Sequence, residues 1–328
     1  MHIKEVRQTK LKRTLTLLDL TVCGVGIIFG AGIYALIGIA SGYAGNSLWL
    51  SFVLAAIMAA FTGLSYAELS SIFKSDSSEY EYTKNAFNKT IATLVGILVV
   101  LSGVFTAATV SIGFGNYFNA LTGFPILIVA LSLIILLSLI NFIGIRLSMT
   151  LTWISTVVEF IGLIVIIILG IKYFGSTNLL AFEKGFDGIL RATALVFFAY
   201  MGFESIVKLA EETKEPNKTI PRALILSIII TTIIYILVAV SAVSVLSYEK
   251  LSVSKAPLAE VASVSLGNIA FLALAIIALF STMNTVLLSL VTSSRLTYGL
   301  AEEKAIPKKF GEVNQKTKTP WLAIIIIG

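Results

Sequence analysis

The sequence predicts an all-α polytopic membrane protein built as an inverted repeat, and three observations predict it. The 328-residue chain is 57% hydrophobic and only 13% charged, about half the charged share of a soluble domain. Its apolar residues gather into eight runs long enough to cross a bilayer, a crossing that takes about 20 residues. Two of these runs, the first and the sixth, are interrupted at corresponding places. Broken helices five spans apart and opposite in direction are the mark of an inverted repeat whose irregular backbone lines a cavity.

The first interruption is Gly24-Val25-Gly26-Ile27-Ile28-Phe29-Gly30-Ala31-Gly32-Ile33-Tyr34. Each glycine weakens a helix relative to alanine and frees the backbone. A break there exposes N–H groups at the start of a half-helix, which attract an anion. The competing reading is close packing against another helix, since Gly26 and Gly30 form a small-xxx-small pair. The second interruption is Phe197-Phe198-Ala199-Tyr200-Met201-Gly202-Phe203-Glu204. A carboxylate in a span is expensive unless it faces a cavity or a partner. A lone Gly202 would read as packing; its match to the first break favours a site.

In order, the spans are expected at about residues 15–40, 47–66, 91–120, 126–143, 149–173, 189–210, 222–246 and 267–290, the last running on as a helix toward Leu300. Residues 79–87 read as an amphipathic extension of the third span, and 247–266 as a mixed loop. Residues 321–328 begin a ninth apolar run too short to span. The expected organisation is one transmembrane domain over 1–328, with a first repeat at about 15–173 and a second from about 189 that is incomplete, as if truncated.

Charge sets the orientation. Of the 24 Lys and Arg, only Lys172, Lys184, Arg191, Lys250 and Lys255 fall on the side opposite the N-terminus. This predicts a cytoplasmic N-terminus and explains the net charge of +6 without a nucleic-acid partner. Cys23 and His2 are the only residues of their kinds. That excludes an internal disulfide and speaks against a His/Cys metal site or a Cys–His catalytic pair. No paired acid/base set suggests an enzyme, and no cleavable leader precedes the first span.

Three motifs carry a family resemblance. The first-span glycine run resembles the first helix of the amino acid–polyamine–organocation permeases. Phe197–Glu204, then Ala210-Glu211-Glu212-Thr213-Lys214-Glu215-Pro216-Asn217 and Ile220-Pro221-Arg222, resembles their sixth helix and its loop. Ser293-Ser294-Arg295-Leu296-Thr297-Tyr298-Gly299-Leu300-Ala301, then Ile306-Pro307-Lys308-Lys309-Phe310 and Lys318-Thr319-Pro320, resembles their eighth helix and its exit. The resemblance covers essentially the whole chain. It implies the five-plus-five inverted-repeat (LeuT-like) fold and coupled transport of amino acids across the plasma membrane. Carried over by position, backbone N–H groups of Gly30, Ala31 and Gly32 would hold the substrate carboxylate. Carbonyls near Ile28, Phe198, Ala199 and Met201, beside Gly202, would meet the amino group. Phe198, Tyr200 and Glu204 would act as gates, against a plain packing reading for the aromatics.

One departure is informative. Many relatives, proton-coupled ones included, carry a lysine in the fifth helix where this chain has Glu159 within Thr156-Val157-Val158-Glu159-Phe160. An acid inside a span is a functional candidate by default. Glu159 is read as a proton carrier, as a structural carboxyl, or as a Na⁺ ligand with Ser281 and Thr282, hard cations taking oxygen ligands. No organic cofactor is expected. Glu211, Glu212, Lys214 and Glu215 read as a solvated face before a gate network, and Asn284 as a substrate contact or as glue between helices. Asp19 and Arg13 stand where the first helix begins. The resulting expectation is a proton-coupled symporter of neutral amino acids working by alternating access. An exchanger, a polyamine or cationic amino acid carrier, and an inactive remnant or interaction subunit are the alternatives.

Overall fold

A computed structural model describes residues 11–73, 75–254, 256–267 and 269–328. His2 and the basic residues Lys4, Arg7, Lys10, Lys74 and Lys255 lie outside the described residues. Eight helices among the described residues are long and apolar enough to cross a membrane.

The first helix, α1 (Leu17–Ala44), starts on a capping box. The Thr16 hydroxyl accepts from the Asp19 N–H while the Asp19 carboxylate accepts from the Thr16 N–H, which satisfies two orphan donors at once. Asp19 also accepts from the Trp153 indole at 3.1 Å, so this end of α1 is tied to the fifth span. α1 leaves helical geometry at Gly30 (φ −15°, ψ −160°). It runs on through residues 41–44, further than expected, and ends where Gly45 takes φ 62°.

After α2 (Leu48–Ile72) comes a correction. Residues 78–86 form a separate helix, α3 (Ser78–Ala86), and not an extension of α4 (Lys89–Thr122). The break follows from Asn88, whose extended backbone and side-chain oxygen cap the Ile91 N–H and start α4 afresh. α5 (Ile126–Ile143) and α6 (Ile145–Ile171) meet at Gly144, which takes φ 149°. α7 (Gly185–Phe197) leads into the second break, and α8 (Pro216–Val245) follows it. The 247–266 segment holds two short helices, α9 (Tyr248–Val253) and α10 (Pro257–Leu266), each opened by the kind of signal helices use, a serine cap position and a first-turn proline. α11 (Ile269–Glu302) is continuous past Leu300, and α12 (Trp321–Ile327) closes the described chain.

α1 is the axis of the bundle and packs on α6, α7, α8 and α11, while α2 pairs with α8 and α4 with α11. Its glycines allow the close approach. A Cβ on Gly24 would meet Ser227 and Ile206, and one on Gly26 would meet Thr156 and Asn284. The packing reading of the glycine run therefore holds for the half of α1 before the break. α5 buries only Ala130, Leu133, Leu137 and Asn141, with Leu127, Ile128 and Ile135 turned outward, the pattern of a span with lipid on most of its surface.

Candidate functional site

The two breaks meet. After α7 the chain makes one 3₁₀ turn over Phe198–Tyr200, becomes extended at Met201 (φ −63°, ψ 148°) and reverses at Gly202 (φ 119°, ψ −25°). That φ is open to glycine and strained for other residues. A 3₁₀ segment, Phe203–Glu212, then continues toward the face that carries residues 11–16, α3 and the 303–320 segment, here called the base. Gly202 faces Ile27 of α1, and a Cβ on Gly32 would lie 3.0 Å from Ala199 Cα. The broken stretches thus touch backbone to backbone. Gly32→Val would overpack this contact by about 1–3 kcal/mol. Thermal unfolding of the purified variant beside the parent is expected to show that loss of stability.

A cavity of about 240 Å³ opens between them. Its walls include Ile28 and Gly32 of α1, Phe198, Ala199, Met201, Gly202 and Glu204 of the second break, Ser102, Gly103 and Thr106 of α4, and Thr285, Ser289 and Ser293 of α11. Lys208 and Leu296 carry the wall toward the base. The N–H groups that follow Gly30 begin a new helical segment, and such groups lack intrahelical partners. Glu204 curls back, its carboxylate accepting from the Gly202 N–H at 2.8 Å. Phe198 and Met201 are exposed, but Tyr200 is fully buried and donates to the Phe52 carbonyl at 3.2 Å. Tyr200 therefore stands behind the cavity and not in its wall.

Sequence reasoning passed over Tyr235 of α8. Its hydroxyl donates to the Ile28 carbonyl at 2.6 Å and lies 3.3 Å from the Ala199 carbonyl. Its ring packs against Phe29, Phe52 and Tyr200. One side chain thus bridges both broken helices at their freed carbonyls. A tyrosine in an apolar span has no local signal that would single it out.

Glu159, on α6, lies outside the cavity lining. It is fully buried. One carboxylate oxygen accepts from the Asn284 amide at 3.3 Å, and the same amide nitrogen also donates to the Thr156 hydroxyl at 3.2 Å. Asn284 is therefore a clip between α6 and α11, beside Gly26. Glu159 Oε2, Ser155 Oγ, Ser281 Oγ and Asn284 Oδ1 are buried without hydrogen-bond partners among the described residues. Thr282 turns back to its own helix, donating to Ala278. Leaving this many buried polar atoms unsatisfied by protein is costly.

The base is closed by buried charge, which corrects the solvated-face reading for part of the 211–215 cluster. Glu215 is exposed and pairs with Lys218, as a solvated face would. Glu212 is instead buried against Arg295, whose Nε and Nη2 reach its two carboxylate oxygens at 3.1 and 3.2 Å. The remaining guanidinium nitrogen donates to Asn141 at 2.6 Å and Ser294 at 3.1 Å. Glu79 of α3 pairs with Lys208 at 3.1 Å, both largely buried. The Glu212 carbonyl accepts from the N–H groups of Thr14 and Leu15. Tyr298 donates to the Glu211 carboxylate, and the Glu211 N–H donates to Asp76.

Burial pushes the Asp76 carboxyl well above the usual carboxylate range. The Glu211 and Glu212 carboxylates add to the effect, and the Glu211 N–H and Arg295 oppose it without prevailing. The fold therefore favours the neutral acid. The stability this brings is complete below the ordinary carboxylate range and is lost as pH rises through the folded-state value. Asp76→Asn mimics the neutral acid and keeps an oxygen for the Glu211 N–H. The parent's stability relative to this variant is expected to fall as pH rises, measured by thermal unfolding of the purified protein across pH.

A family profile described as amino acid permease matches residues 15–328. The chain belongs to that family. The permease is 29% identical over 98% of its length to the branched-chain amino acid permease BcaP of Bacillus subtilis, covering 74% of that protein. It is likewise 29% identical to the methylthioribose transporter of Bacillus subtilis, over 98% of this chain and 75% of that one. Among solved structures it superposes on Mhp1, a nucleobase-cation-symport-1 family transporter, with a TM-score of 0.66 at 13% identity, covering 98% of this chain and 71% of that one. At that identity the likeness speaks for the fold, which is the LeuT-like transporter fold. The permease is thus a secondary transporter of the amino acid class and not an enzyme.

Proposed function

We propose that this permease is a proton-coupled symporter of neutral amino acids in the plasma membrane, with its N-terminus and base in the cytoplasm. The observation that carries the reading is the cavity joining the two broken helices, with the buried Glu159 carboxyl held by Asn284 outside that cavity. The substrate carboxylate sits at the N–H groups of Gly30, Ala31 and Gly32, where a half-helix start favours an anion. Its ammonium faces the carbonyls of Ile28, Phe198, Ala199 and Met201, with Gly202 supplying the turn. Both charged groups in the wall are already engaged, Glu204 by the Gly202 N–H and Lys208 by Glu79. The rest of the wall is apolar or hydroxylic, which suits an uncharged side chain.

Coupling runs through Glu159. Taking up or releasing a proton changes what Asn284 and Thr156 can hold between α6 and α11, and α1 passes beside that contact through Gly26. Alternating access then consists of the broken helices moving against their partners, with Phe198 and Glu204, both in the cavity wall, as gating groups and Tyr200 bracing the break from behind. A second reading, a carrier of cationic amino acids, draws on Glu204 in the cavity wall.

The test is uptake into proteoliposomes. Accumulation of labelled leucine driven by an inward proton gradient is the expected result. Accumulation driven by sodium and indifferent to the proton gradient would overturn proton coupling and point to Ser281 and Thr282. Uptake of arginine in place of leucine would replace the neutral reading with the cationic one.

A further inference from the structure

We infer that a basic groove at the base holds the phosphate headgroup of an anionic membrane lipid. The groove is about 550 Å³ and lies between the N-terminal segment, the α5–α6 turn and the 316–318 turn. Lys12, Arg146, Lys316 and Lys318 line it, together with Thr14 and Ile143, and no acidic residue among the described ones does. None of these four cations joins a salt bridge among the described residues. Lys208 and Arg295, also at the base, are each matched by a carboxylate. Like charges gathered around one groove repel each other, and a phosphate oxyanion is the ligand that relieves the repulsion.

Two further observations point the same way. The Thr14 hydroxyl is buried in the wall of the groove without a hydrogen-bond partner among the described residues, a donor that an oxyanion would use. The turn that presents the two lysines is built and not loose. Asn314 Oδ1 accepts from the N–H groups of Lys316 and Thr317, and its carbonyl accepts from Lys318. These bonds hold Lys318 at φ 59°, a conformation non-glycine residues seldom adopt. Thr319 then fastens the turn to the Phe142 carbonyl at 2.9 Å.

A lipid fits better than a free anion because the groove borders apolar surface. Ile143 in its wall is 58% exposed, and Leu147 one turn into α6 also faces outward. The phosphate would meet the cations while the acyl chains follow that surface along α5 and α6.

The experiment is native mass spectrometry of the full purified chain titrated with phosphatidylglycerol, phosphatidylcholine or inorganic phosphate. The expected result is retention of phosphatidylglycerol but not phosphatidylcholine. Arg146→Gln and Lys318→Gln should each weaken retention about fivefold, and Lys184→Gln, on the opposite face, should leave it unchanged. Thermal unfolding of each variant without lipid checks that it remains folded. Equal retention by parent and groove variants would overturn the site. Displacement of the lipid by inorganic phosphate at comparable concentration would overturn the lipid assignment in favour of a free anion.

Discussion

Replacing Arg295 with alanine is expected to cost the fold about 3–5 kcal/mol, the range for breaking a buried ion pair from one side. The guanidinium is completely buried and engages Glu212, Asn141 and Ser294 together. Its removal strands the Glu212 carboxylate in a site built to neutralise it. The penalty is mostly that stranded charge, so Arg295→Ala and Glu212→Ala should not add. The double variant should be far less damaged than the sum of the singles, a cycle read by thermal unfolding. Arg295→Lys keeps the charge but loses the planar fork that matches the carboxylate, and it cannot also reach Asn141 in the same geometry. A loss below about 1 kcal/mol in the alanine variant, the scale of an exposed pair, would mean that this contact does not hold the base together.

Glu159→Gln is expected to reduce proton-driven uptake to the level of protein-free liposomes. The substitution is nearly isosteric, and its amide oxygen can still accept from Asn284. The clip between α6 and α11 should therefore survive, and with it the folded protein. What disappears is a group that can bind and release a proton. Exchange of labelled for unlabelled substrate at equal concentrations on both sides needs no net proton movement, so it should persist. Uptake that keeps its dependence on the proton gradient in this variant would remove Glu159 from the coupling step. Loss of exchange as well as uptake, with an aggregated protein, would assign it a structural role.

Much of the fold could be read from residue pattern alone because a bilayer imposes few choices. A run of about 20 apolar residues must be a helix there, so the spans followed directly. The breaks at Gly30 and Gly202 were legible because clustered glycine, or glycine beside a carboxylate, weakens a helix that only has to span. The regions between spans were harder. α3, α9 and α10 are short, and their existence turns on local caps such as Asn88 and Pro257 and not on hydropathy. Tyr235, Asn141 and the Arg295–Glu212 pair were invisible for a different reason. Their partners lie far away in the sequence, as Glu212 and Arg295 do at 83 positions apart, and each residue taken singly looks like ordinary packing or ordinary basic charge. Pairing is a property of the packed bundle, and hydropathy carries no trace of it.

The Tyr235 hydroxyl has consequences for donor valence. It carries one proton, which goes to the nearer carbonyl of Ile28 at 2.6 Å, so the Ala199 carbonyl at 3.3 Å is left undersupplied. An α-ammonium brings three hydrogens and could complete both oxygens without displacing the phenol. Each N-methylation subtracts a donor and adds bulk at the same atom. Competition against labelled substrate should therefore weaken stepwise from the primary amine to the N-methyl and N,N-dimethyl forms, and a betaine, with none to give, should not compete. The place where two broken helices share one phenol would then act as a counter of substrate hydrogens.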